Sequence, residues 1–145
     1  AGGEAAWAER QIPEVVGAYP ECWMMGRLPA YGFYVRHADR VRLRNVEYVT
    51  DKPDGRPAIV CDDVEDAIFG GLELSKPAGD APLLDLRDTR RVFVNGMRSP
   101  VGNKVFAAVS GAGSSGIRLL GNLLNEGEQA ISITGGAMHD AAKVV

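Results

Sequence analysis

Several familiar kinds of protein are excluded by what this chain of 145 residues lacks. Its two cysteines, Cys22 and Cys61, are too few for a disulfide framework, so they read as two buried thiols or as one bridge. Its two histidines, His37 and His139, stand far apart, and no metal-ligand spacing surrounds either. No apolar run approaches the length of a membrane span, so no membrane partner is expected. Basic and acidic residues are mixed along the chain and the net charge is only −3, which leaves no electrostatic footprint for nucleic acid. Gly111-Ala112-Gly113-Ser114-Ser115-Gly116 has no lysine after it and no helix pattern, so it reads as a turn rather than a phosphate loop. A nucleophilic serine in a strand-to-helix elbow is also missing, and no cofactor is expected. The start does not resemble a signal peptide. Ala1-Gly2-Gly3-Glu4 does not resemble a natural start, so the chain reads as a mature fragment, an excised segment or the tail of a longer gene.

What is present is a repeat. Gly32–His37 and Val41–Tyr48 alternate apolar and polar residues with period two, the pattern of short strands. The pattern returns in Ala58–Asp63 with Ala67–Leu74, in Leu83–Asp88 with Val92–Met97, and in Phe106–Val109 with Ile117–Leu124. The anchors Val41, Ala67, Val92 and Ile117 follow one another at intervals of 26, 25 and 25 residues. A fixed period of this size, with strands in each unit and no helix pattern between them, indicates a β-solenoid. The expected fold is all-β, a right-handed parallel β-helix of about four to five coils, each of ~25 residues. Its 18 glycines and 8 prolines suit many short strands and tight turns.

Each coil has an Asn/Gly corner: Asn45, Gly71, Asn95 with Gly96, and Gly121 with Asn122. These residue types tolerate left-handed backbone, and stacked asparagines can bond to one another. Strand alternation puts Val35, Val41, Leu43, Val46, Ile59, Cys61, Phe69, Leu72, Leu84, Leu86, Val92, Val94, Val109, Ile117 and Leu119 in the core. Residues 1–30 form an irregular covering segment, with either a short helix over Glu4–Gln11 stopped by Pro13 or a frayed end there. Residues 31–136 form the β-helix, and 137–145 a weakly helical cap or tail, the whole being one domain. The apolar stretch with Tyr19, Trp23, Met24, Met25 and Leu28 reads either as packing on the solenoid or as an aromatic wall for a sugar.

Three segments carry a resemblance. Tyr19-Pro20-Glu21, then Met25-Gly26 with Leu28 to His37, then Arg56–Val60 with Asp62-Asp63-Val64, are similar to the C-terminal part of bacterial polygalacturonase-like proteins. Those are glycoside hydrolases of family 28, right-handed parallel β-helices that are usually secreted or periplasmic. The resemblance spans about residues 12 to 75 and implies action on pectic or related polysaccharide by an inverting mechanism. The acids of that mechanism lie in Asn-Thr-Asp and Asp-Asp segments of the family, with Gly-His-Gly and Arg-Ile-Lys segments following. None of the four occurs here in the family's form, and Asp62-Asp63 lies in a different context. The chain therefore looks like a non-catalytic C-terminal portion, with no catalytic residue. The alternative is a stand-alone carbohydrate-binding or structural β-helix module.

The repeat aligns Arg36 with Asp62 and Arg87, and His37 with Asp63 and Asp88. Equivalent residues on adjacent coils lie ~4.8 Å apart, so the first set should form a ladder of alternating charge with the second beside it. Such a ladder is either structural, on a solvated face, or the polar mouth of a sugar cleft in which Arg36 or Arg87 grips a uronate carboxylate. Arg36, His37, Asp62, Asp63, Arg87 and Trp23 are thus the substrate-binding candidates, with polysaccharide as the partner. If upstream coils are absent, the first coil near Gly32–Val35 has an unpaired edge. Either residues 1–30 plug it, with Trp7, Trp23 and Met25 on the core, or two chains meet end to end as a homo-oligomer.

Overall fold

The structure, a computed structural model, describes residues 2–18, 21 and 23–145. It is a parallel β-solenoid of about four turns. Strand β1 (Phe33–Arg44) is followed by β2 (Glu47–Tyr48), β3 (Ile59–Gly70), β4 (Glu73–Leu74), β5 (Leu84–Arg87), β6 (Arg90–Asn95), β7 (Val105–Ser110), β8 (Ile117–Leu120), β9 (Gln129–Ile133) and β10 (Ala142–Val144). Every pairing is parallel. The first side of the solenoid stacks the start of β1 on the start of β3, then β5, β7 and β9. The second side stacks the end of β1 on the end of β3, then β6, β8 and β10. A third, shorter side begins with β2 on β4.

Strand alternation turns one residue in two toward the axis, and the inward residues form continuous columns. Val35, Cys61, Leu86, Val109 and Ile133 make one; Leu43, Phe69, Val94, Leu119 and Val144 make another. All fifteen expected core residues belong to or pack against this core, and Val41, Ala67, Val92 and Ile117 share a column as the period requires. Burial is uneven along the axis. Ile59, Cys61, Ala67, Phe69 and Leu72 in the second coil are fully buried, whereas Phe33, Val35, Val41, Leu43 and Val46 in the first are only partly so. Cys61 lies wholly inside, and burial pushes its thiol pKa up to about 12, so it behaves as a free, inert small hydrophobe. Cys22 lies outside the described residues.

The corners are left-handed, and there are three columns of them. The expected one contains Asn45, Gly71, Gly96 and Gly121. A second contains His37, Asp63, Asp88, Gly111 and Gly135, and a third Arg40, Asp66, Arg91 and Gly116. The second corner puts His37, Asp63 and Asp88 on a bend rather than within a flat strand. The expected asparagine-to-asparagine bonds do not form at Asn122. Its side chain accepts from Met97 N at 3.0 Å and donates to Val94 O at 2.9 Å, tying one coil's backbone to the next.

Both ends of the chain differ from expectation. The N-terminal helix is a single 3-10 turn, Ala5–Glu9, after which Arg10 is already extended. Residues 137–145 are not helical. Ala142 pairs with Ile117, 25 residues on, so β10 is another strand of the second side. Its short, small-residue run looks like weak helix in isolation, but the free edge of β8 supplies the strand partner that overrides propensity.

Candidate functional site

The N-terminal segment lies along the outer surface of the first side, where outward residues would otherwise meet water. Arg36 donates to Ile12 O at 2.6 Å and pairs with Glu14 at 2.6 Å. Arg87 donates to Ala8 O at 2.7 Å. Trp7 has the Arg27 guanidinium 4.0 Å from its ring centre and Arg56 at 5.5 Å. The segment is thus anchored on the side of the solenoid.

The register brings Arg36, Asp62 and Arg87 into one row, as the spacing required. The ladder is only half made. Arg36 Nε lies 3.4 Å from Asp62, but Arg87 turns to Asp85 on its own strand, with Nε at 3.0 Å and a terminal nitrogen at 2.5 Å. The two outward residues of a four-residue strand share a face, so Asp85 is the nearer carboxylate. Nor is the row on a solvated face: Arg36, Asp62 and Arg87 are all largely covered. Sequence spacing could not show this, because the covering segment has no repeat register.

Beside that row, His37 joins two carboxylates. Its Nδ1 lies 2.8 Å from Asp63 and its Nε2 2.9 Å from Glu14. Arg90 lies 3.5 Å from Asp63 and 3.6 Å from Glu65, and Arg91 also pairs with Glu65. Asp88, the third member expected in that row, instead accepts from Gly113 N at 2.9 Å. Both bonds to His37 favour its charged form, Asp63 first and then Glu14, and raise its pKa above the ordinary value of 6.5. Asp63 and Glu14 are lowered in turn, chiefly by the hydrogen bond from His37.

The linkage sets a pH window. His37 is raised, so its contribution is complete below its ordinary value and is lost as pH rises through the higher folded value. The carboxylates are lowered, so theirs is complete above the ordinary carboxylate range and is lost in acid. The His37 ring resonance should therefore titrate above 6.5 in the native chain and move down in Asp63→Asn and in Glu14→Gln. An unshifted titration in all three would show that the two bonds do not persist in solution.

Between the segment and the first side is a cleft of about 450 Å³, lined by Ile12, Pro13, Val15, Val16, Met25 and Leu28 with Tyr34, Arg36 and His37 on its inner side. Tyr34 lies 3.4 Å from Asp62 through its hydroxyl. Trp23 is not part of the lining and stands 73 % exposed on a turn. The expected aromatic wall is thus not built by Trp23, and Tyr19 lies outside the described residues. The site residues missed from the sequence are Glu14, Tyr34, Arg90 and Glu65. Tyr34 could have been found as the outward neighbour of Val35, and Arg90 and Glu65 by extending the register three residues past Arg87 and Asp62. Glu14 carries no such signal.

No protein-family model, curated protein or solved structure matches the chain.

Proposed function

We propose that the chain is the non-catalytic C-terminal portion of a polygalacturonase-like glycoside hydrolase acting on pectic or related polysaccharide. The observation that carries the non-catalytic part of this reading is that Asp63 is committed to cations, His37 at 2.8 Å and Arg90 at 3.5 Å, while Asp62 lies 3.4 Å from an Arg36 Nε that makes no hydrogen bond. An inverting hydrolase needs one carboxylic acid kept protonated near neutral pH and one carboxylate across the bond from it. The Asp63 carboxyl is instead lowered. The two residues also sit within β3 where Asp63 bends the strand through left-handed backbone, so they do not present a matched pair to one bond. The family part rests on the three resembling segments.

The chain is accordingly expected to release no reducing sugar from polygalacturonan. Turnover that disappears in Asp63→Asn would overturn this and return the pair to catalysis. A second reading, a carbohydrate-binding module, is favoured by the cleft, where the Arg36 guanidinium, His37 and the Tyr34 ring lie together. Oligogalacturonate titration separates the two: saturable binding lost in Tyr34→Ala supports the module, and no binding supports the scaffold.

A further inference from the structure

We propose that the cleft beside β1 binds a small monocarboxylic acid with an apolar body, whose carboxylate takes the place that the Glu14 side chain now occupies between Arg36 and His37. The inference goes beyond the proposed function and does not rest on it, since a non-catalytic scaffold leaves the cleft without an occupant. The cleft opens sideways, over the outward face of β1, so coils stacked along the solenoid axis do not fill it.

The place for a carboxylate is marked by one that is already there. Glu14 Oε1 lies 2.6 Å from a terminal nitrogen of Arg36 and 2.9 Å from His37 Nε2. Both contacts are made by that single oxygen. A carboxylate free of the chain can set one oxygen on each cation, and charge-assisted hydrogen bonds of this kind are the strong ones. The present pairing also leaves Arg36 incomplete, because its Nε is buried with no hydrogen bond. Glu14 is readily displaced. Its side chain is 56 % exposed, it lies outside any helix or strand, and exposed ion pairs hold weakly.

The charge count calls for one anion. With Glu14 set aside and His37 charged, the cations Arg36, His37, Arg90 and Arg91 outnumber the carboxylates Asp62, Asp63 and Glu65 by one. A single negative charge restores the balance. The walls set the rest of the ligand. Pro13, Val15, Val16, Met25 and Leu28 offer no polar side-chain group, and the cleft of about 450 Å³ is of the size that small ligands fill. A hydrocarbon chain or ring gains by leaving water for such walls. A sugar acid would set hydroxyls against them without partners, which is costly. The walls therefore favour an apolar acid over a uronate.

Calorimetric titration with octanoate, 1-octanol and galacturonate tests the site. Octanoate should bind saturably, one molecule per chain. Octanol lacks the charge and galacturonate the apolar body, so each should bind roughly tenfold more weakly or worse. Glu14→Gln removes the internal competitor and should tighten octanoate by up to about fivefold, the weight of one exposed ion pair. Arg36→Met should weaken it roughly tenfold or more. Circular dichroism verifies that this variant folds, and Val16→Asp replaces it should it unfold. Val16 lines the cleft and is 93 % exposed, so that change costs the fold little while its carboxylate repels the ligand. Absence of saturable octanoate binding in both the native chain and Glu14→Gln overturns the proposal. Octanol as tight as octanoate overturns the carboxylate position, and galacturonate as tight overturns the apolar body. A Glu14→Gln chain that binds octanoate no more tightly than the native one overturns the displacement.

Discussion

Leu86→Asp is expected to abolish folding. Leu86 is fully buried, and it lies in the middle of a column with Cys61 above it and Val109 below. A carboxylate there would have apolar side chains on both axial neighbours. Leaving a charge buried and unpaired costs several kcal/mol, and taking up a proton instead still leaves a polar group in an apolar column. A single domain has only ~5–15 kcal/mol of stability in all. Because each coil is held by its two neighbours, failure in the third coil also removes support from the second and fourth. Far-ultraviolet circular dichroism should show the loss of strand signal near neutral pH. Leu86→Met keeps the volume and the apolar surface, and should cost less than about 1.5 kcal/mol. A folded Leu86→Asp chain, melting within a few degrees of the native one, would sink the assigned column.

Leu86 also shows why the fold was legible in the sequence. Inward residues must recur both every second residue along a strand and every ~25 residues along the chain, so two independent periods mark the same positions. The Asn45–Gly71–Gly96–Gly121 corner was legible for a related reason, since residue type there reports the left-handed backbone. The other two corner columns use His37, Asp63 and Asp88, and Arg40, Asp66 and Arg91, in the same conformation. Their composition points to charge rather than to a bend, although Gly111, Gly135 and Gly116 in the same columns carry the hint. The strand β10 was hidden because Ala141-Ala142 is ambiguous in type, yet its interval of 25 residues from Ile117 was readable.

The site was less legible than the fold because only half of it obeys the repeat. The register gave the rows Arg36–Asp62–Arg87 and His37–Asp63 their adjacency. It could not give their partners from the N-terminal segment, where Ile12 O and Glu14 meet Arg36 and Ala8 O meets Arg87. Such contacts depend on where a non-repeating segment lies. One of its anchors is a buried carboxylate, Asp54, on which the second large effect is expected to fall.

Asp54→Ala should cost about 3–5 kcal/mol, the usual effect of removing one partner of a buried ion pair and leaving the other. The Asp54 carboxylate accepts from Arg56 N at 3.0 Å, from Arg56 Nε at 2.9 Å and from a terminal guanidinium nitrogen at 2.8 Å. Gly3 N adds a fourth bond at 2.6 Å, which ties the start of the covering segment to this turn. Arg56 in turn donates to Leu28 O at 3.0 Å and faces Trp7, so one pair holds both ends of the segment. The hydrogen bonds from Arg56, before that from Gly3, hold the Asp54 pKa at about 2. A lowered carboxylate stabilises the fold fully above its unfolded pKa, and that contribution is lost as pH falls through the folded value. The shift corresponds to roughly 2.5 kcal/mol at neutral pH. Urea unfolding should therefore show a large gap between the native chain and Asp54→Ala at pH 7, narrowing by about that amount between about pH 4 and pH 2. Adding Arg56→Met should recover part of the loss, because the orphaned cation is removed with its partner. A gap below about 1 kcal/mol, or one that does not change over that acid range, would mean that the pair does not hold the segment.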